Sequence, residues 1–167
     1  MDALQFWALI KDANQASRGD VEAEVDLLLP KLASLPPGDI LDFQRLLDEQ
    51  MAESYTWDLW AAAYIINGGC SDDCFEYFRG WLIAQGELVF QAALRDPESL
   101  ADVADPEVEC ERMLYVAQGA FERATGRGLP RRPSLQAAEP SGRRWKESQV
   151  GARLPGLAVR FSDYHTG

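Results

Sequence analysis

The feature that most constrains the fold is the run Trp57–Ile66 (WDLWAAAYII), which is apolar on nearly every side. A segment of this kind is either a strand or a helix that is buried on most of its surface. Its three consecutive alanines favour a helix. The Asn67-Gly68-Gly69 sequence that follows supplies backbone conformations with which helices often end. We therefore expect a largely buried helix here.

Apolar residues recur at helical spacing through much of the remaining chain, and no segment shows a convincing strand pattern. Asp20, Asp39 and Ser71 are suitable caps for the helices that follow them, whereas Pro30 should kink or end the second helix. The sequence thus predicts an all-α, compact, multi-helix single domain. The apolar stripes are Ala3, Phe6, Trp7, Ile10 and Ala13; Val25, Leu28, Leu29 and Leu32; Ile40, Phe43, Leu47 and Met51; Cys74, Phe75, Phe78 and Leu82; and, in a last long helix over residues 107–124, Cys110, Leu114, Ala117 and Phe121.

Charge divides the chain into two unequal parts. Residues 1–122 contain 7 basic and 24 acidic side chains, whereas residues 123–167 contain 9 basic and 3 acidic ones. We expect an acidic helical body over residues 1–125 and a Gly/Pro/Arg-rich linker over residues 126–145. A C-terminal segment, residues 146–167, should dock on the body through Leu154, Leu157, Val159 and Phe161. The fold should therefore carry a partly extended basic C-terminal segment.

The net charge of −11 argues against nucleic-acid binding and against adhesion to anionic membranes. The exception is the basic tract of the tail, which either contacts phosphates or associates with the acidic body. Neither a signal peptide nor a membrane span is evident, so we expect a cytoplasmic protein. The tract comprises Arg127, Arg131, Arg132, Arg143, Arg144 and Lys146.

Cysteine and histidine are too sparse to indicate a zinc site or a disulfide framework. Cys70 and Cys74 are expected to be small, partly buried residues, and Cys110 to lie in the core. The sequence lacks the common nucleotide-binding, hydrolase and metalloprotease motifs. We accordingly expect no cofactor and assign no metal ligands.

The richest cluster of aromatic and polar residues is Tyr55–Gln85, which contains three of the five tryptophans. With its Trp57–Tyr64 run, its Asn67–Asp73 turn and the Phe75–Ile83 segment, the chain resembles a bacterial family, the domain-of-unknown-function family forty-two-forty. Phe6-Trp7 and, in the tail, Trp145, Leu154-Pro155 and Arg160-Phe161 extend the resemblance over most of the chain. It implies no particular activity, because none is established for that family.

The same cluster supplies the candidate ligand-binding residues: Trp60, Tyr64, Asn67, Asp72, Asp73, Glu76 and Arg79. Neighbouring carboxylates can share a proton or hold a cation, and an arginine can bind an anionic group. The same residues can also have a purely structural role. Acids in a first helical turn stabilise the helix, Glu76 and Arg79 can form an i,i+3 ion pair, and aromatic residues are commonly core.

The leading hypothesis is a small intracellular acidic module that binds a protein or a small molecule. The alternative is a carboxylate-dependent or metal-assisted enzyme with its site at the turn from Asn67 to Arg79. A weaker alternative is an acidic antagonist of a basic protein, for which the charge of the body is suited.

Overall fold

Three helices open the chain and carry the predicted apolar stripes: α1 (Ala3–Ser17), α2 (Val21–Ala33) and α3 (Pro37–Glu53). The computed structural model describes residues 1–165. Asp20 caps α2 as predicted, because its carboxylate accepts hydrogen bonds from the N–H groups of Glu22 and Ala23. Pro30 does not end the helix, which continues to Ala33.

The start of α3 differs from the prediction. The helix begins at Pro37, so Asp39 lies inside its first turn instead of capping it. Proline suits a first turn because its missing N–H has no partner to lose there. The Asp39 carboxylate instead accepts a hydrogen bond from the amino group of Met1 at 3.1 Å.

The apolar run forms α4 (Trp57–Ile66), and Asn67 follows directly as its C-terminal cap. Ser71 then caps α5 (Asp72–Ala84), its hydroxyl accepting from the N–H of Cys74 at 3.3 Å. Both boundaries agree with the sequence analysis. Eight of the residues of α5 are buried, which makes it a central element of the core.

α6 (Glu87–Arg95) leads through a 3-10 helix (Pro97–Asp102) to α7 (Glu111–Thr125). The predicted start of α7 at residue 107 is wrong. Glu107 has a φ of 61°, which is outside the right-handed helical region, and the N–H of Cys110 donates to the carbonyl of Tyr77. Cys110 is buried, as expected. This loop packs so closely on α5 that a Cβ at Gly80 would overlap the carbonyl oxygen of Cys110.

The core lies between the first five helices and α7, and includes Phe6, Ile10, Leu28, Phe43, Phe78 and Met113, all fully buried. The described residues contain no strand beyond an isolated parallel bridge between Thr56 and Ser141. The all-α single-domain prediction is therefore confirmed. Within residues 1–165, no helix combines the length and the apolar composition that crossing a membrane requires.

The C-terminal segment docks on the body through two short helices, α8 (Val150–Arg153) and α9 (Pro155–Phe161), which contact α4. Leu154, Leu157 and Phe161 are buried, as predicted, whereas Val159 is 76% exposed and is not an anchor. Residues 166 and 167 of the predicted docking segment lie outside the described residues.

An extended stretch, residues 126–146, follows α7 and also contacts the body, and a short 3-10 helix (Glu147–Gln149) joins it to α8. The guanidinium of Arg132 pairs with the carboxylate of Asp48 on α3. Farther along, the N–H of Ser141 donates to the carbonyl of Tyr55, and its carbonyl accepts from the N–H of Trp57. These two hydrogen bonds place the following residues, including Trp145, beside the start of α4.

Candidate functional site

A column of stacked rings runs from the surface of α4 into the core. The rings of Trp57 and Trp60 are stacked with centroids 5.4 Å apart and planes 7° apart, and Trp60 stacks in turn on Phe75 of α5 at 5.1 Å. Trp57, Trp60 and Tyr64 share one face of α4 because residues three, four and seven apart in a helix are neighbours. Their spacing alone therefore aligns them.

Trp145 of the C-terminal segment closes one side of this face. Its ring stands nearly perpendicular to Trp57 and Trp60, at interplanar angles of 84° and 85°, and its centroid is 5.5 Å from that of Tyr64. The indole N–H of Trp145 donates to the carbonyl of Trp57 at 2.7 Å. The indole N–H of Trp60 donates to the carbonyl of Cys70 at 2.9 Å. The orientation of both rings is thus set by backbone partners.

These rings border an open cavity of about 660 Å³, which we call the aromatic groove. Its four aromatic side chains are only half-buried, in contrast to Phe75 beneath them, which is fully buried. The groove is lined by Trp57, Trp60, Tyr64, Cys70, Arg144, Trp145, Lys146, Glu147 and Gln149.

The polar side chains of the aromatic groove lie at its rim. The guanidinium carbon of Arg144 is 5.4 Å from the centre of the Trp57 ring, a cation–π distance. Burial, and then the nearby carboxylate of Glu147, raises the pKa of the Tyr64 hydroxyl above its ordinary value. The groove therefore combines ring faces with a small number of charged groups.

Cys70 and Cys74, which we expected to be unpaired, form a disulfide with Cα atoms 5.2 Å apart. Both residues are partly buried, as predicted. Ser71 caps α5 between them, which brings Cys74 back toward Cys70 within a single turn. Neither cysteine is a free thiol in this structure, so the pair carries no nucleophile.

Asn67 forms a reciprocal pair with the backbone of Val108. Its amide N–H donates to the Val108 carbonyl at 3.0 Å, and its carbonyl oxygen accepts from the Val108 N–H at 3.0 Å. This pair ties the loop before α7 to the end of α4. The Asn67 side chain is therefore engaged within the protein.

Asp72, Asp73 and Glu76 are all exposed on α5. Asp72 and Asp73 occupy the first turn of that helix, where negative charge stabilises the helix. No group of three or more acidic, cysteine or histidine residues suited to a metal ion occurs among residues 1–165. These three carboxylates do not line the aromatic groove.

Arg79, unlike the exposed acids of α5, is buried and only 2% exposed. Its guanidinium donates to the carbonyl of Met51 at 2.6 Å, to that of Phe75 at 3.3 Å and to the side chain of Gln136 at 3.1 Å. Burial lowers the pKa of Arg79 to about 10, while Glu76 raises it. Within residues 1–165 no salt bridge joins Glu76 to Arg79, so the suggested ion pair is not formed. Arg79 thus links α3, α5 and the extended stretch.

The structure brings together two of the seven candidate residues, Trp60 and Tyr64. The sequence analysis did not place the other lining residues at a common site, although Trp57 lies one helical turn before Trp60 and was a detectable partner. Trp145 carried no such local signal, because 88 residues separate it from Trp57.

A buried carboxyl group on α2 was also missed. Glu24 is fully buried; its Oε2 accepts a hydrogen bond from Asn14 at 3.1 Å, and its Oε1 has no partner among the described residues. Burial raises the pKa of Glu24 to about 7, although the hydrogen bond from Asn14 lowers it. Glu24 does not line the aromatic groove.

Comparison with protein families matches residues 1–123 to the family described as "Protein of unknown function (DUF4240)". The match covers α1 to α6 and most of α7, and ends before Trp145 and the docked C-terminal helices. No curated protein and no solved structure matches the chain.

Proposed function

The chain belongs to the DUF4240 family, and we propose that it is a binding module whose ligand site is the aromatic groove. The predicted protein or small-molecule partner would thus bind between α4 and the C-terminal segment. The acidic turn from Asn67 to Arg79 is not part of this proposal, because its members lie apart and mainly stabilise the fold.

The observation that carries the proposal is that four aromatic side chains from two distant parts of the chain border one open cavity. Its volume of about 660 Å³ lies in the usual range for small-molecule sites, roughly 300–1,000 Å³. Rigid rings bury a large apolar area at little entropic cost, which makes them effective binding surfaces.

Saturation-transfer NMR with a panel of small aromatic compounds tests the site. We expect signals from several compounds with the wild-type protein and a loss of those signals in Trp57→Leu, which keeps an apolar side chain but removes the outermost ring of the column. Tyr115→Leu is the matched control, because Tyr115 is an exposed aromatic residue on α7 outside the groove. Equal binding by both variants, or none by the wild type, contradicts the proposal.

We further propose that the protein works in the cytoplasm, as its low cysteine content suggests. Disulfides rarely persist in that compartment, so the Cys70–Cys74 pair should be mostly reduced there. Alkylation of free thiols in intact cells, followed by mass spectrometry of the purified protein, measures this fraction. A fully oxidised pair would place the protein in an oxidising compartment.

A further inference from the structure

The charge at the rim of the aromatic groove is opposite to that of the body beneath it. Residues 1–122 contain 24 acidic and 7 basic side chains. Among the lining residues, by contrast, Arg144 and Lys146 carry positive charge and Glu147 alone carries negative charge. The groove is therefore a locally basic site on an acidic molecule.

The two basic side chains are available to a ligand. Both are exposed, and neither forms a salt bridge within residues 1–165. Two other arginines of the same segment do pair with carboxylates of the body, Arg132 with Asp48 and Arg153 with Asp58. Arg144 and Lys146 thus border the groove beside Glu147 without being tied up in a salt bridge.

The ring contacts limit how a ligand can enter. Both faces of Trp60 are covered, one by Trp57 and the other by Phe75. The indole N–H groups of Trp60 and Trp145 already donate to backbone carbonyls. The Trp57 ring is also covered, by Trp60 on one side and by the guanidinium of Arg144 on the other. The accessible recognition elements are therefore the half-buried rings of Tyr64 and Trp145 and the donors of Arg144 and Lys146.

From this arrangement, and resting on the proposed binding role of the groove, we infer that its ligand is a flat ring bearing a negatively charged group. The ring would lie against Tyr64 and Trp145, and the anionic group would meet the ammonium of Lys146 and the guanidinium of Arg144, which is held over Trp57. Nucleoside monophosphates and aromatic carboxylates share this chemistry. Charge-assisted hydrogen bonds to such a group are stronger than those to a neutral one.

The opposite specificity, for a quaternary ammonium ion held among rings, fits the groove poorly. Such a cation would be repelled by Arg144 and Lys146. It would also compete with the guanidinium of Arg144, which already lies over the Trp57 ring at 5.4 Å. A cationic ligand is therefore a suitable negative control for the experiment.

Isothermal titration and tryptophan fluorescence with matched probes test the inference. The pairs are adenosine monophosphate with adenosine, and 2-naphthoate with 2-naphthylmethanol; phenyltrimethylammonium is the cationic probe. In at least one pair we expect the anionic member to bind about tenfold or more tightly than the neutral one. This difference in affinity should become smaller at high salt, which screens the charges. Comparison of the pairs distinguishes phosphate from carboxylate.

Replacing both basic side chains, Arg144→Gln with Lys146→Gln, should reduce the affinity for the preferred anion to that of its neutral partner and leave the neutral partner unchanged. Arg127→Gln, an exposed arginine outside the groove, is the control. Circular dichroism of each variant verifies folding.

Two outcomes overturn the inference while the proposed binding role stands: equal affinity for charged and neutral members of both pairs, or preferential binding of the cation. If none of the probes binds the wild-type protein, the inference fails. If the aromatic panel of the preceding section also fails, the proposed function fails with it.

Discussion

Arg79 shows how a charged residue can belong to the core of this protein. Its guanidinium donates to two backbone carbonyls and one side chain, and lies 4.7 Å from the centre of the Phe75 ring and 4.8 Å from that of Tyr55. Buried cations persist where hydrogen bonds replace their hydration. The residue therefore stabilises the junction of α3 and α5.

Arg79→Met should lower the free energy of unfolding by about 2–4 kcal/mol, because it removes the hydrogen bonds that the buried guanidinium donates to Met51, Phe75 and Gln136. Asp73→Asn, on the exposed first turn of the same helix, should cost less than about 1 kcal/mol. Urea denaturation of the two variants measures both values. Similar losses of stability in the two variants would mean that the exposed turn is as important to the fold as the buried arginine.

Glu24 should make stability depend on pH between its ordinary pKa of 4.5 and its folded-state pKa of about 7. Its pKa is about 7 in the folded protein and close to the ordinary value of 4.5 in the unfolded chain. Below the ordinary value both states hold the proton. Between about pH 4.5 and pH 7 the unfolded chain gives up this proton while the folded protein keeps it, so stability should fall by roughly 2–4 kcal/mol over this range and change little above it.

Glu24→Gln keeps a neutral side chain at every pH and should abolish this loss. The stability of the wild type relative to Glu24→Gln should therefore decrease between pH 5 and pH 8, as measured by urea titration at each pH. Glu53→Gln, at an exposed position, should show the same pH dependence of stability as the wild type. If the stability of Glu24→Gln instead changes with pH as that of the wild type does, the carboxyl group of Glu24 is solvated in the folded protein.

At the scale of single elements, the C-terminal helices are positioned by a side chain from the body. Both carboxylate oxygens of Glu98, in the 3-10 helix, accept backbone hydrogen bonds from the first turn of α9, from Gly156 at 3.0 Å and from Leu157 at 2.8 Å. The glycine at position 156 permits this approach, because a Cβ there would overlap a Glu98 carboxylate oxygen and the side chain would have to shift. Capping of this kind couples docking to helix formation.

Glu98→Ala should weaken the docking of α9 by about 1–2 kcal/mol, since two N–H groups lose their acceptor. Hydrogen exchange should speed up for the amides of residues 154–161 and remain unchanged in α1 to α3. Glu109→Ala removes an exposed acid from a loop and should change neither region. Uniform acceleration would indicate general destabilisation instead of undocking.

At the scale of the whole molecule, the basic tail completes the surface of the acidic body. Leu154, Leu157 and Phe161 are buried against it, and Trp145 covers the aromatic face of α4. A segment joined to its own docking surface has a high effective concentration there, so undocked forms should be rare. The tail is thus part of the folded structure and also contributes to the candidate site.

Deletion of residues 143–167 should expose the apolar and aromatic surface beneath the tail and promote aggregation, measured by light scattering and size-exclusion chromatography. Deletion of residues 163–167 removes only residues beyond the buried anchor Phe161 and should leave the protein monodisperse. A stable, monodisperse product from the longer deletion would show that the body does not need the tail.

The helices of the body could be predicted because their signals are local. Ser71 caps α5, Asp20 caps α2, and the alanine-rich run forms α4 at the expected boundaries. Periodicity and capping depend on residues within a few positions of each other. Where a distant contact competed, the prediction failed. The residues before α7 leave the helical conformation, and Cys110 binds the backbone of α5 instead.

The sequence by itself determined the all-α class, the positions of most helices and the contrast in charge between body and tail. Only the tertiary structure decided that Trp145 meets Trp57, that Arg79 is buried while its neighbour Glu76 is exposed, and that Cys70 pairs with Cys74. The physical reason is that these outcomes depend on which surfaces pack together across long stretches of chain. A residue pattern identifies the side chains available for such contacts, and packing selects among them.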